Sequence, residues 1–142
     1  MEVRGGLEVL AAGLAAERAS GEDLKKIERA LAQMKEDLRT GAPGDVADLK
    51  FHYSIVEAAH NQLLLRMMNT IYDTMYQSLH ITRKLWLSST PGTPQRLYEE
   101  VHREVYMAVK SGNSNKASES MAEHLRKVIT DLEGLYRLQT RN

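Results

Sequence analysis

Residues 20–38 read SGEDLKKIERALAQMKEDL. Ser20 followed three positions later by Asp23 resembles a capping box with Asp in the Glu position, each side chain serving the other's backbone N–H. Behind it Leu24, Ile27, Leu31, Met34 and Leu38 recur at 3-4-3-4 spacing, which is one face of an α-helix. The same period runs outward in both directions. Upstream, Val3, Leu7, Leu10 and Leu14, with alanines at 11, 12, 15 and 16, predict a helix over 2–19 with one apolar stripe. Gly5 and Gly6 weaken its first turn. Downstream, Gly41-Ala42-Pro43-Gly44 is a breaker and Asp45 is placed to cap a third helix over 46–59.

His60-Asn61 marks a corner, because Asn tolerates left-handed backbone and caps well. A long helix over 62–86 turns Leu64, Met67, Met68, Ile71, Met75 and Leu79 inward, with Trp86 as a packing anchor at its end. Residues 88–94 form a loop rich in Ser, Thr and Pro. A fifth helix over 95–110 is stopped by Ser111-Gly112-Asn113. A sixth over 114–138 buries Ala117, Met121, Val128, Leu132 and Leu135. No strand pattern and no long repeat is visible, so the expected fold is an all-α antiparallel bundle.

The chain has 142 residues, the size of one domain, and its 42% hydrophobic and 27% charged residues match ordinary globular usage. Nineteen Lys+Arg balance nineteen Asp+Glu. That zero net charge makes the chain a poor nucleic-acid binder by itself. With no cysteine there are no disulfides, thiolate metal sites or Cys nucleophile. No apolar run approaches the roughly 18 residues a membrane span needs, and no leader segment opens the chain, so no membrane partner and a cytoplasmic location are expected.

Chemistry enters through the histidines. Asp48 and His52 are four residues apart, so one helix face carries both. Asp48, His52, Ile55 and Ala59 fall within a sector roughly 60° wide, the sector that should face the core. His102 borders the apolar arc of Tyr98, Val105 and Val109, and His124 borders that of Ala117, Val128 and Leu135. Taken singly, each histidine reads as a hydrogen-bonded core residue, and Asp48–His52 as a supporting helix pair. Taken together, one Asp and three His from three helices make an N₃O metal site. Such a set suits Zn, Mn, Fe, Co or Ni rather than Ca, and a buried carboxylate needs a partner of this kind. A rival set, Glu57-x-x-His60 with Glu99-x-x-His102, has the Glu-x-x-His form of di-iron bundles. Glu57, however, lies about 180° from Asp48 on its helix and so faces solvent.

The stretch Asp48-Leu49-Lys50-Phe51-His52, followed by Ile55, Ala58 and Asn61-Gln62-Leu63-Leu64, resembles the D-x-x-F-H…N-x-x-L motif of the FCD domain, the C-terminal effector-binding domain of FadR-subfamily GntR transcriptional regulators. Glu2-x-Arg4-x-x-Leu7-Glu8, Glu100-Val101-His102, and Gly112-Asn113…Ala117…Met121-x-x-His124-Leu125 follow in the family's order. Asn113 departs from the usual Asp, a change between two good caps, and Gly5-Gly6 is unusual in the opening helix. The resemblance covers essentially the whole chain, 1–142. It implies six or seven helices enclosing a small-molecule cavity, with Asp48, His52, His102 and His124 holding a divalent cation, zinc first among the candidates, at the cavity floor. It also implies a small carboxylate effector, a homodimer, and DNA contact only through an N-terminal winged helix-turn-helix domain that this chain lacks.

Arg4 lies near Leu7, Ala11 and Leu14 on its helix, so it can turn inward towards a ligand carboxylate or stay at the surface. Asn69, Tyr72, Tyr76 and Arg83 on the long helix are further effector-binding candidates; His60 and His80 are not ligands. The expected function is a ligand-sensing regulatory domain and not an enzyme. The alternatives are a small metallohydrolase, with only Glu99 and Glu123 available as general base, or an interaction bundle with a structural metal.

Overall fold

A computed structural model describes residues 2–89 and 93–141, apart from the side chains of residues 75, 77–98, 131, 132, 135, 136, 138 and 139. Among the described residues there are six helices and no strand: α1 (Glu2–Arg18), α2 (Gly21–Thr40), α3 (Asp45–Ala58), α4 (Gln62–Ser89), α5 (Thr93–Lys110) and α6 (Ser114–Thr140). The expected order of elements holds. Both helices beside the expected 88–94 loop run past their expected bounds: α4 reaches Ser89 and α5 opens at Thr93.

The capping box forms as read: Ser20 Oγ accepts from the Asp23 N–H and Asp23 Oδ2 from the Ser20 N–H, at 3.1 and 2.8 Å. At the other end of α2, Gly41 adopts φ +83°. Its N–H and that of Ala42 then reach the carbonyls of Leu38 and Asp37, the paired bonds that close a helix C-terminus. Two caps differ from expectation. Gly44, in left-handed backbone with no side-chain bond, caps α3, so Asp45 is already helical. At the next corner it is His60 that takes the left-handed conformation, φ 50°, while Asn61 caps α4 by accepting from the Leu64 N–H. His60 is held there from outside: its Nε2 lies 2.7 Å from Asp23 Oδ2, so the carboxylate that caps α2 also pins the α3–α4 corner.

Contacts between helices fix their directions. Asp23 and Lys26 meet His60 and Glu57, so α2 and α3 are antiparallel. Glu28 and Lys35 meet Tyr106 and Glu99, so α2 and α5 are antiparallel too. On α1, the Val9 and Gly13 carbonyls accept from Ser118 and Ser114, which makes α1 antiparallel to α6. This last seam is tight: a Cβ on Gly13 would stand 2.6 Å from Ser118 Oγ. The tightness explains a correction. The buried face of α1 is Arg4, Glu8, Ala11, Ala12 and Ala15, whereas Val3 and Leu10, expected inward, are 64% and 50% exposed. Helices this close admit small side chains between them and turn the large ones out.

On α4 the inward row is Leu64, Met68 and Tyr72, at helical i, i+4 spacing, and Met67 is exposed, contrary to expectation. Phe51, Ile27, Met34, Ile55, Met68 and Met121 are fully buried at the centre. Met75, Leu79, Trp86, Tyr98, Leu132 and Leu135 lie outside the described side chains. Among the described residues no helix is long and apolar enough to cross a membrane.

Candidate metal centre

Five helices converge on one buried polar cluster. From α3, Asp48 and His52 point inward one turn apart; His102 comes from α5 and His124 from α6. All four are buried, at 0–2% exposure. Asp48 Oδ1 stands 2.9 Å from His102 Nε2 and 3.2 Å from His52 Nε2, and His52 Nε2 stands 3.2 Å from His124 Nε2. The ligand atoms of the four lie within 4.8 Å of one another. Ligands about 2.0–2.2 Å from one ion stand no more than about 4.4 Å apart, so a slight contraction brings this set into bonding range. Phe51 packs edge-on against the His52 and His102 rings, centroids 5.6 and 5.1 Å away.

The helical phase of Asp48, His52, His102 and His124 therefore does bring them together, and a buried Asp/His₃ group can hold a metal. The rival Glu-x-x-His set is dispersed: Glu57 pairs with Lys26, His60 with Asp23, and Glu99 with Lys35.

Sequence reasoning assigned no role to Glu8, which the structure buries to 1% exposure beside the cluster. Its Oε2 accepts from Arg4 Nε at 2.6 Å, and its Oε1 accepts from the Tyr72 hydroxyl at 3.1 Å. The same Oε1 lies 2.7 Å from His52 Nδ1, off the line of the ring N–H. The available signal was the Arg4–Glu8 i, i+4 pair in phase with Ala11, Ala12 and Ala15. Two acids and two bases interlock: Asp48 and Glu8 face Arg4 and His52.

These contacts set the protonation of the cation-free cluster. Burial pushes Glu8 up, but the charges of His52 and Arg4 and their hydrogen bonds outweigh it and hold Glu8 at about 2. Burial lowers His52, yet Glu8 and Asp48 outweigh that and raise it to about 9. Burial and the neighbouring His102 and His52 drive His124 well below the usual histidine range, which leaves its lone pair available. Burial raises Tyr72 well above 10, so it stays a hydrogen-bond donor.

A stability profile follows. His52, raised above its unfolded value, stabilises the fold fully below pH 6.5 and loses that contribution as pH rises through 9. Glu8, depressed, contributes above pH 4.5 and loses it as pH falls through 2. Both shifts describe largely one interaction, counted once. In excess chelator the melting temperature is expected to peak between about pH 4.5 and 6.5 and to decline on both sides, as thermal scans across pH will read. A melting temperature still climbing from pH 7 to 9 would contradict the His52–Glu8 pairing.

The effector candidates separate. Arg4 is turned inward, 6% exposed, and its Nη1 and Nη2 hydrogen-bond no described residue. Tyr72 is buried beside it, while Tyr76, one turn on, is 40% exposed. Asn69 is exposed, because it lies one step round the helix from the buried Met68 row. Arg83 and His80 fall outside the described side chains. A groove of about 610 Å³ lies on the outside of the bundle, where Arg103, Glu104 and Met107 of α5 meet Lys116 of α6. Glu123, a candidate general base, is exposed and paired with Arg126.

The model of the FCD domain matches residues 1–127. The chain is 39% identical over 136 residues to the HTH-type transcriptional regulator LutR of Bacillus subtilis, spanning 96% of this chain and 62% of that protein. It is 28% identical over 141 residues to the Uxu operon transcriptional regulator of Escherichia coli, spanning 90% and 50%. With the galactonate operon transcriptional repressor of E. coli it shares 27% over 119 residues, spanning 84% and 50%. The chain thus spans half to under two thirds of the length of these curated relatives. Its fold is similar to that of E. coli McbR/YncC, TM-score 0.75 at 19% identity, over 96% of this chain and 66% of that one. Streptococcus agalactiae GntR gives 0.71 at 23% identity, over 89% and 55%. These sequence relatives are named as transcriptional regulators, not enzymes.

Proposed function

The chain belongs to the FCD domain family of GntR-type regulators, and on that premise we propose that it is a sensor domain in which a divalent metal and a small carboxylate effector bind side by side. One observation carries the metal half: four buried ligand-type side chains from three helices, with their donor atoms within 4.8 Å of one another. Asp48, His52, His102 and His124 are the proposed ligands. An N₃O set of neutral imidazoles and one carboxylate favours zinc, with Ni, Mn, Fe and Co as competitors. The bound ion would supply open coordination positions for an anionic oxygen.

Arg4 is the proposed reader of the effector's carboxylate. Its Nε is taken by Glu8, which leaves the Nη1 and Nη2 fork, the geometry that matches a carboxylate. Tyr72 stands beside it through the shared Glu8. Tyr76, Asn69 and Arg83 complete the proposed set; Tyr76 and Asn69 are exposed. Galactonate, a hydroxy carboxylate, names the operon one relative represses, which supports this effector class. In the whole protein the domain is proposed to act as a homodimer in the cytoplasm, and to reach DNA only through a separate N-terminal winged helix-turn-helix domain. An effector regulates only if it binds one protomer arrangement better than the other.

Thermal melting against a panel of hydroxy acids, sugar acids and dicarboxylates, run in chelator and again with zinc restored, tests the reading. A panel member at about 100 times its Kd adds about 2.7 kcal/mol, or roughly 8 °C. Shifts confined to the zinc-loaded sample, and lost in Arg4→Ala, are the expected result. Equal shifts in chelator would separate the effector from the metal, and no shift in either state would remove the sensor reading.

A further inference from the structure

A carboxylate with no place among the proposed ligands is buried against one of them. Glu8 divides its two oxygens: Oε2 takes Arg4 Nε, while Oε1 takes the Tyr72 hydroxyl and lies 2.7 Å from His52 Nδ1. Neutralising Arg4 requires only one of those oxygens. The other lies 2.7 Å from the ring nitrogen of His52 opposite the one that meets Asp48 and His124, close enough for its charge to act on that nitrogen though off the N–H line.

Resting on the metal reading above, we propose that Glu8 is the positioning residue of the centre: it keeps the proton of His52 on Nδ1 and so presents the Nε2 lone pair to the ion. With a carboxylate oxygen 2.7 Å from Nδ1, the tautomer carrying a lone pair on Nδ1 would set two acceptors against each other. The opposite tautomer turns that contact into an attraction and leaves Nε2, 3.2 Å from both Asp48 Oδ1 and His124 Nε2, free to donate its pair. A carboxylate behind a metal-bound imidazole fixes ring orientation and raises ligand basicity. Helix α1, which supplies no ligand, thus enters the site through Glu8. Because Arg4 and Tyr72 bind the same carboxylate, the group that orients His52 also touches two of the residues proposed to meet the effector.

Two measurements on the full chain test this. In competition with a chromogenic chelator, Glu8→Gln is expected to bind Co(II) about 10–100-fold more weakly than the unsubstituted protein. A change of melting temperature with unchanged Co(II) affinity would overturn the proposal and leave Glu8 a structural partner of Arg4. The second measurement needs no variant. Long-range ¹H–¹⁵N correlation of the zinc-loaded protein is expected to show His52 protonated at Nδ1 and metal-bound through Nε2; the reverse pattern would overturn the proposal even if Glu8→Gln fails to fold. Failure of the unsubstituted protein to bind Co(II) or zinc at all would sink the metal reading as well, and is distinct from a tight-binding protein indifferent to Glu8.

Discussion

EDTA is expected to lower the melting temperature of the metal-loaded protein by roughly 12 °C, and His124→Ala is expected to make the protein indifferent to EDTA. The magnitude comes from mass action: an ion present at about 1,000 times its Kd stabilises the state that binds it by about 4.1 kcal/mol. Such a gain shifts a domain of this size by about 3 °C per kcal/mol. Asp48 and His52 are neighbours along the chain, but His102 and His124 lie 50 and 72 positions beyond His52, so the unfolded state offers no comparable four-ligand site. Opposing this is the proton that the cation-free cluster holds. His52 sits at about 9, so at pH 7 the ion must displace a proton from it, and part of the metal's binding energy goes into that exchange. The EDTA effect is therefore expected to shrink as pH falls from 8 to 6, and calorimetry in buffers of different ionisation enthalpy should register about one proton released per ion at pH 7. His124 is the informative site to remove: burial and the neighbouring His102 and His52 hold it well below the usual histidine range, so that, unlike His52, it is neutral in the cluster. An EDTA response that persists in His124→Ala would place the ion elsewhere.

Phe51→Ala is expected to cost about 3–5 kcal/mol of stability, the range for emptying a fully buried aromatic site. Phe51 has no exposed surface, and its ring stands edge-on to two of the three imidazoles in the cluster. The cavity left behind would free those rings to tilt. Loss of stability in urea titrations should thus be accompanied by weaker zinc binding, measured separately at a temperature where the variant is still folded. A loss below about 1 kcal/mol would mean that neighbouring side chains refill the site, and that Phe51 does not set the histidine planes.

The α2 stripe and its cap were legible because both signals are local: a period of 3.6 and a reciprocal bond three residues long. The inward phase of Asp48, His52, His102 and His124 was legible for the same reason. Their mutual distances are tertiary, but three inward arcs in one small bundle leave little room to miss one another. Glu8 was not legible. Its partners His52 and Tyr72 are 44 and 64 positions away, and a glutamate on a helix reads by default as a solvated face. Val3 and Leu10 misled for a related reason. Apolar spacing finds a stripe, but the identity of the buried face depends on how closely α6 approaches, and Gly13 decides that. The left-handed residue at the α3–α4 corner turned out to be His60 rather than Asn61, because Asp23 on another helix holds it there.

The α1–α6 seam also bears on the order in which the molecule is made. Gly13 and Val9 accept hydrogen bonds from serines 101 and 109 positions later in the chain. At about 5–20 residues per second, a ribosome needs roughly 5–20 s to span that interval. For that time α1 exists without α6 to cover its Val9 and Gly13 edge. His124 is also the last of the four cluster residues to be synthesised. Translation therefore delivers the helices one by one, but the proposed cation pocket is complete only after α6 has emerged and swung back against α1. A ribosome stalled anywhere before residue 124 would hold a chain that is partly helical but lacks one of the four proposed ligands, so loading of the proposed ion would have to wait for α6.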